Sequence, residues 1–532
     1  MKNTYIIILF ILVASACSKD FLKETARTQI TVDQIYKTPE GLASAVIGLY
    51  FLDRGFLRID GESDSWLQLN RGCDLTASVA GSGNAAYANY DPAGRQGNEQ
   101  WTRNIWNFHY NMTGKATEII FYGADLDQNN ANVKRAIAEA SFFRAQSYFW
   151  LYRLYERIYI SETPTTPQNV NDPVEFKPAS KEAIFALLNK DLDNAIANLP
   201  ATAGTEPGRL TQAAARHVKA LVLMWEGKYQ DAVNQCEAIF ADPNRRLVTV
   251  EQVFGTQSAP LAELNHAEAL YVWQYANRAG GANGTTPQGH RLNAHFLTNY
   301  QSSTGIRSYP NGGGGWGRVL PNSYLRSLYD RSTDKRIALW FKETFIYDDP
   351  TQQSKWPAGT KVGDTVKFAV NSSLWVARTH PSSMKYYDPL TSGTAASLVS
   401  FKDVMVYRLA ETHLMAAEAY MRLGNQAKAL EHYNKTFVRA GNPPATGTVT
   451  LEMIMDEHAR ELCLESHRWS FLKRIGRLID QVQKYAGDAG IPGLSAVARQ
   501  NIKEYQLVWP IPQTALDAMG RASFPQNPGY LP

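Results

Sequence analysis

The densest group of side chains able to do acid–base or metal chemistry is Asp456, Glu457, His458, Glu461, Glu465 and His467. Glu457, Glu461 and Glu465 recur at four-residue steps, so a helix would set their carboxylates on one face. Glycoside hydrolysis needs two carboxylates facing each other across a cleft. A zinc-hydrolase helix needs two histidines four residues apart. His458 and His467 are nine apart, half a turn out of register. Arg460 and Arg468 lie among the acids. The pattern predicts an ion-paired structural helix whose carboxylates meet arginines of neighbouring helices. It predicts neither a catalytic nor a metal centre.

Ring-stacking chemistry is the other kind the sequence offers. The run Gly312, Gly313, Gly314 and Gly315 lacks a following Lys-Ser/Thr, so it is no phosphate loop, and Trp316 stands at its edge. Glycines let a backbone approach a ligand closely. Sugar rings present apolar C–H faces that stack on indoles and phenols, with amides and guanidiniums beside them for the hydroxyls. One such platform contributes roughly 1–3 kcal/mol by analogy with base stacking. Two stretches hold this mixture. One has Tyr87, Asn89, Tyr90, Arg95, Asn98 and Trp101; the other has Tyr300, Gln301, Arg307, Tyr309, Asn311 and Trp316. The candidate ligand-binding set is Trp316, Trp101, Tyr87, Tyr90, Arg95, Asn98, Tyr300, Tyr309 and Asn311. Trp101 falls where the pattern fits loop and helix equally. Trp106 and Tyr110, one helical turn apart, read as core, as do Trp150, Trp225 and Trp469 within helical stretches.

The elements that must position these residues read as helical. Periodic apolar positions make helix dominant over about 100–242 and again over 401–480. The stretches 221–240 and 418–437 are alike. With Gly227 aligned on Gly424, Ala232 falls on Ala429, Cys236 on Tyr433 and Phe240 on Phe437. A glycine turn followed by this Ala-x3-large spacing is the second-helix pattern of a tetratricopeptide repeat, here degenerate. Such helix pairs hide their apolar faces only by stacking. The regions 71–105 and 250–400 are rich in Gly, Pro, Ser and Asn and read as long surface loops with few strands, the expected ligand face. Near the start, Thr31, Val32 and Asp33 predict the opening of a helix that Pro39 interrupts.

Composition narrows the function. The chain has 532 residues, 44% hydrophobic and 20% charged, enough for a packed core. Lys and Arg number 54 against 50 acidic residues, a net +4 that argues against nucleic-acid binding. Lys2, the short apolar stretch Tyr5 to Val13 and the small residues Ala14, Ser15 and Ala16 precede Cys17. Residues 1–16 read as a signal peptide and Cys17 as a lipidated mature N-terminus, although Ala14 stands where such signals usually carry Leu. Residues 17–532 then form one domain on a lipid tether, with the anchor its one link to the membrane. Cys73, Cys236 and Cys463 form no CxxC pair and read as buried thiols.

Several ordered motifs resemble the SusD/RagB family of surface nutrient-binding lipoproteins. CSKDFL at 17–22 is similar to the family's mature start. AEASFFRAQSYFWLYRLYERI at 138–158 carries Glu139, Arg144, Ala145, Tyr148 and Leu151, though Glu156 and Tyr159 replace the usual Tyr-Gly and Pro. Gly208-Arg209 opens a repeat helix, and YRLAETHLMAAEAYMRLG spans 407–424. Glu461, Leu462, Glu465 and Arg468 match Glu-Leu-x-x-Glu-x-x-Arg, with Ser466 where Gly is common, His458 where Arg is and Phe471 where Asp is. YQLVWPIP at 505–512 and FPQNPGY at 524–530 resemble the closing segment. The resemblance implies a mainly helical, all-α fold of four degenerate tetratricopeptide pairs with loop-rich insertions. It implies a non-catalytic protein on the outer membrane, facing the exterior, that captures an oligosaccharide and passes it to a TonB-dependent, SusC-like β-barrel. Peptide capture within the same family is the alternative, and a helical glycoside hydrolase or a partner-assembling scaffold the remoter ones. No cofactor is expected; calcium occurs in some members but has no motif here.

Overall fold

The computed structural model describes residues 35–57, 65–78, 85–166, 168–204, 206–255, 264–275, 289–303, 305–306, 314–388 and 398–531. Cys17 and the signal segment lie outside them. The described chain is mainly helical, as expected. Helices of seven residues or more are α1 (Pro39–Arg54), α2 (Gln100–Gly123), α3 (Ala131–Tyr155), α4 (Lys181–Asn198), α5 (Gln212–Glu226), α6 (Tyr229–Phe240), α7 (Leu409–Arg422), α8 (Gln426–Arg439), α9 (Leu451–Leu462), α10 (Arg468–Arg474), α11 (Leu478–Tyr485) and α12 (Gln513–Met519). Ile35 and Tyr36 are helical, Lys37 and Thr38 break the helix, and Pro39 starts α1. The Thr38 hydroxyl accepts from Gly41 N at 3.1 Å, and a proline at the first helical position loses no hydrogen bond. Thr31, Val32 and Asp33 lie outside the described residues.

From α2 to α8 each helix packs on the next, and α1 packs on α2 and α3. The aligned repeats are α5–α6 and α7–α8. Their turn glycines share the left-handed conformation, Gly227 at φ 74° and Gly424 at φ 78°, with open space where a Cβ would sit. Backbone conformation, not room, selects glycine there. Ala232 and Ala429 are fully buried at the close approaches. Cys236, where the motif prefers Phe, is buried among Met415, Ala416 and Ala419. That contact seats α6 on α7, so the repeats stack although a long insertion separates them.

The insertion leaves after α6 and returns through an antiparallel pair, β2 (Ala269–Trp273) with β6 (Val404–Arg408), buried along its length. The other two-stranded pairings among the described residues are β1 (Thr76–Ala77) with β3 (Leu320–Pro321), and β4 (Phe341–Lys342) with β5 (Ser382–Ser383).

A buried charge network ties the insertion to the C-terminal helices. Arg336, Lys385, Arg408, Arg439 and Arg460 meet Asp334, Glu268, Glu457, Glu461 and Glu465, five cations with five carboxylates. Arg336 Nη1 reaches Glu457 at 2.8 Å and Glu461 at 2.8 Å, and Arg408 Nε reaches Glu465 at 2.7 Å. Burial alone would raise Glu461, but the guanidiniums of Arg439, Arg408 and Arg336 outweigh it and hold its carboxyl well below the usual range. The expected structural role of these acids is what the structure shows. One detail differs: α9 ends at Leu462, and Glu465 joins the network through a turn in which Leu464 and Ser466 have φ 66° and 68°. Ser466 thus occupies a conformation that favours glycine, the residue common there in the family it resembles. Glu156, at φ 58°, repeats the pattern at the end of α3.

Other resemblance motifs are frame contacts too. Arg209 grips Glu139 through both carboxylate oxygens, at 3.0 and 2.7 Å. Arg474 holds Glu418 the same way, and Arg468 holds Asp74. Asn527 Nδ2 donates to the carbonyls of Tyr155 and Trp509, both at 2.8 Å, closing the C-terminal end of α3.

Candidate functional site

The segments that flank the two ring-bearing stretches meet. Thr76 pairs with Pro321 and Ala77 with Leu320, and Arg71 Nη2 donates to the Arg318 carbonyl at 3.2 Å. They do not, however, present their rings alike.

In the first stretch the expectation of a surface loop is corrected. Tyr87, Tyr90 and Arg95 are fully buried and Trp101 is nearly so. Trp101 is helical, the second residue of α2, and packs edge-on against Tyr87 at 4.7 Å and Trp509 at 4.8 Å. The Arg95 guanidinium lies between the rings of Tyr87 and Tyr90, 4.0 and 3.7 Å from their centroids, and donates twice to the Tyr87 carbonyl. The Tyr90 hydroxyl donates to the Gly72 carbonyl and accepts from Trp469 Nε1. Burial pushes both phenols above their usual range. These four side chains are wedges of the core, without an open face for a sugar. Asn98 is exposed, but it follows Gly97, whose carbonyl accepts from Gln513 N, on the C-terminal side of the molecule.

In the second stretch Tyr300 is likewise corrected to core, fully buried against Phe345, with ring centroids 5.5 Å apart. Arg307, Tyr309 and Asn311 lie outside the described residues. Trp316 is only half-buried. The backbone beneath it is fixed at several points. Gly315 N donates to Gln301 Oε1 at 3.1 Å, Gln301 Nε2 donates to the Gly315 carbonyl at 2.9 Å, and Trp316 N donates to the Ala294 carbonyl at 2.7 Å. Gly317 N and Val319 N donate to the carbonyls of Leu297 and His295. A Cβ on Gly315 would come within 2.1 Å of the Thr298 carbonyl oxygen. This glycine serves close approach to the protein's own backbone, not to a ligand as expected.

Three neighbours of the indole escaped the sequence reading. The Arg318 guanidinium lies 4.4 Å from its ring centroid, that of Arg291 5.4 Å, and the His295 ring 5.1 Å. Arg318 is two residues along the chain, but Gly317 between them is left-handed at φ 64°, so no strand alternation signals the contact. Arg291 and His295 reach the ring through the short helix Leu292–Phe296, a long-range contact that leaves no local trace. A flat apolar ring beside two forked donors can bind a sugar by stacking and hydrogen bonding.

The two histidines of the acid–histidine cluster line a small cavity with Arg153, Glu411 and Phe471. His467 Nδ1 meets Glu411 at 2.9 Å, and His458 stacks on Phe471 at 4.0 Å, with burial pushing it well below its usual value. Among the described residues no group of three or more His, Cys, Asp or Glu side chains is set to hold a metal ion. Cys73, Cys236 and Cys463 are free and buried. Among the described residues no helix is long and apolar enough to cross a membrane.

A stacked helical frame with a loop insertion and a ring-bearing face defines a class, and comparison with known proteins gives the family. Residues 268–530 match the SusD family. The chain is 26% identical to SusD-like protein P25 of Formosa agariphila over 96% of both chains. Its fold is similar to that of a laminarin-binding SusD-like protein, with TM-score 0.70 and 20% identity over 92% of this chain and 99% of that one. It is equally similar to surface glycan-binding protein A of Bacteroides thetaiotaomicron in complex with laminarihexaose, with TM-score 0.70 and 18% identity over 92% and 99%. The chain belongs to the SusD/RagB family.

Proposed function

We propose that this protein is a non-catalytic lipoprotein of the outer membrane, held through Cys17 and facing the exterior, that captures an oligosaccharide and passes it to a TonB-dependent, SusC-like β-barrel. The observation that carries the capture step is Trp316, the one candidate ring among the described residues that is not buried. Two relatives of the same fold bind laminarin or laminarihexaose by their names, and the family is associated with the outer membrane. The anchor and the exterior location rest on the sequence, and the barrel partner on family membership. Stacking on a single indole gives modest affinity, which suits a protein that must release its cargo.

Calorimetric titration with pooled oligosaccharides tests this. Saturable heat that Trp316→Ala removes supports it. Heat that the variant retains in full places the ligand elsewhere and contradicts the site.

A further inference from the structure

A cavity of about 30 Å³ lies where α3, α5, α7, α9 and α10 meet. Three buried polar atoms on its lining residues have no hydrogen-bond partner among the described residues: Arg153 Nε on α3, His458 Nδ1 on α9 and Ser470 Oγ on α10. Arg153 is only 4% exposed. Its guanidinium lies over Trp150 at 3.8 Å and Phe149 at 4.5 Å. Such ring contacts use the flat face of the guanidinium and leave its in-plane N–H groups in need of acceptors. Arg95, stacked in the same way, donates its Nε to the Tyr87 carbonyl at 2.9 Å. An orphaned buried donor or acceptor weakens folding by roughly five-fold to a hundred-fold. Three of them around one cavity call for a shared partner.

We propose that this cavity is a binding site for one or two water molecules, which accept from Arg153 Nε, bond to His458 Nδ1 and Ser470 Oγ, and so join α3 to α9 and α10. Size excludes a larger ligand, because one water takes roughly 10–15 Å³ of such space. Charge excludes an ion. The guanidiniums of Arg153 and Arg474 line the cavity together with the carboxylates of Glu411 and Glu418. An anion would meet two carboxylates, and a cation two guanidiniums. Arg474 and Glu418 already satisfy each other through two bonds, at 2.8 and 2.6 Å. Glu411 meets His217 at 3.0 Å and His467 at 2.9 Å. The three orphans need a neutral molecule that both donates and accepts. Arg153 Nε only donates, burial holds His458 neutral so that its ring can accept, and the Ser470 hydroxyl does either. The site belongs to the frame and stands whether or not Trp316 binds a glycan.

The experiment is a crystal structure of the intact protein at a resolution that shows ordered water, repeated after a bromide soak, with chemical denaturation of the intact protein and Ser470→Ala. The expected map has one or two peaks within hydrogen-bond reach of Arg153 Nε, His458 Nδ1 and Ser470 Oγ, and no anomalous bromide signal among them. Ser470→Ala takes a partner from the water and should raise the unfolded fraction roughly five- to ten-fold. A dry cavity predicts the reverse, since removing an orphaned hydroxyl leaves folding unchanged or improved. A map without a peak, a bromide peak in the cavity, or a Ser470→Ala protein at least as stable as the intact one overturns the proposal. If Ser470→Ala does not fold, the map and the bromide soak of the intact protein decide.

Discussion

The stretches around residues 87–101 and 314–318 have nearly the same vocabulary: aromatic rings, an arginine, glycines and amides. The segments that flank them pair through β1 and β3. One is sealed and the other is only half-buried at its ring. Around 87–101 the arginine is consumed by the rings of Tyr87 and Tyr90, and Trp101 by Trp509. Around 316 the backbone is pinned from below and the half-buried indole carries two guanidiniums over its ring. Composition is therefore a poor guide to exposure; what matters is whether another part of the chain arrives to cover the ring. The sealed stretch belongs to the frame, and changes there should appear as lost stability. The half-buried one should show its effects in binding.

The largest expected contrast is between two tryptophans. Trp101→Ala removes a buried indole and should destabilise by roughly 3–5 kcal/mol, measured by chemical denaturation. Trp316→Ala should change stability by less than about 1 kcal/mol. Equal losses would erase the distinction between frame and face.

Next comes the charge network. Glu461→Gln leaves Arg336, Arg408 and Arg439 short of a shared partner and should cost about 3 kcal/mol at neutral pH. Because the folded protein holds Glu461 well below its usual value, this stabilisation is present above the unfolded carboxylate range and is lost as pH falls through the folded value. The gap between wild type and variant should close on acidification, while glycan binding by the folded variant stays intact.

Asp53 behaves in the opposite sense. Burial raises it to about 6, opposed only in part by donors from Trp273, Tyr271 and Gln146. Its stabilising contribution is full below the unfolded carboxylate value near 3.8 and is lost as pH rises through about 6. Asp53→Asn should flatten that window, with its new N–H available to the unpartnered Gln146 Oε1. At pH 8 it should exceed wild type by about 1–3 kcal/mol. A variant weaker than wild type across the whole pH range would contradict this.

The smallest effect concerns backbone strain. Glu156→Gly relieves a left-handed residue at the end of α3 and gives up a half-exposed bridge to Lys473 at 2.8 Å. The net gain in stability should be at most about 1 kcal/mol, read from the shift in denaturation midpoint.

The frame was legible in the sequence because its signals are local. The repeats show in Gly227, Ala232, Gly424 and Ala429, whose roles depend on residues within a turn or two of them. The resemblance was legible for a related reason: its motifs, among them Glu139, Arg209, Glu461 and Arg468, are ion pairs that the frame cannot do without. The face was only partly legible. Trp316 was singled out from its glycine run, but Tyr87, Tyr90, Arg95, Trp101 and Tyr300 look the same in sequence. Tyr87, Tyr90 and Trp101 are buried by distant residues such as Trp469 and Trp509, Arg95 by Tyr87 and Tyr90 in turn, and Tyr300 by Phe345. Arg291 was missed because its contact with the indole spans a turn of chain that no periodicity encodes.

The most direct test of this contrast is calorimetry with one oligosaccharide pool on three proteins: the intact chain, Trp316→Ala and Asn98→Ala, the last exposed beside the Gly97–Gln513 contact. Heat that saturates for the intact chain and for Asn98→Ala but vanishes for Trp316→Ala, with all three melting together, is the predicted result. Heat that survives in Trp316→Ala and disappears in Asn98→Ala would contradict the account.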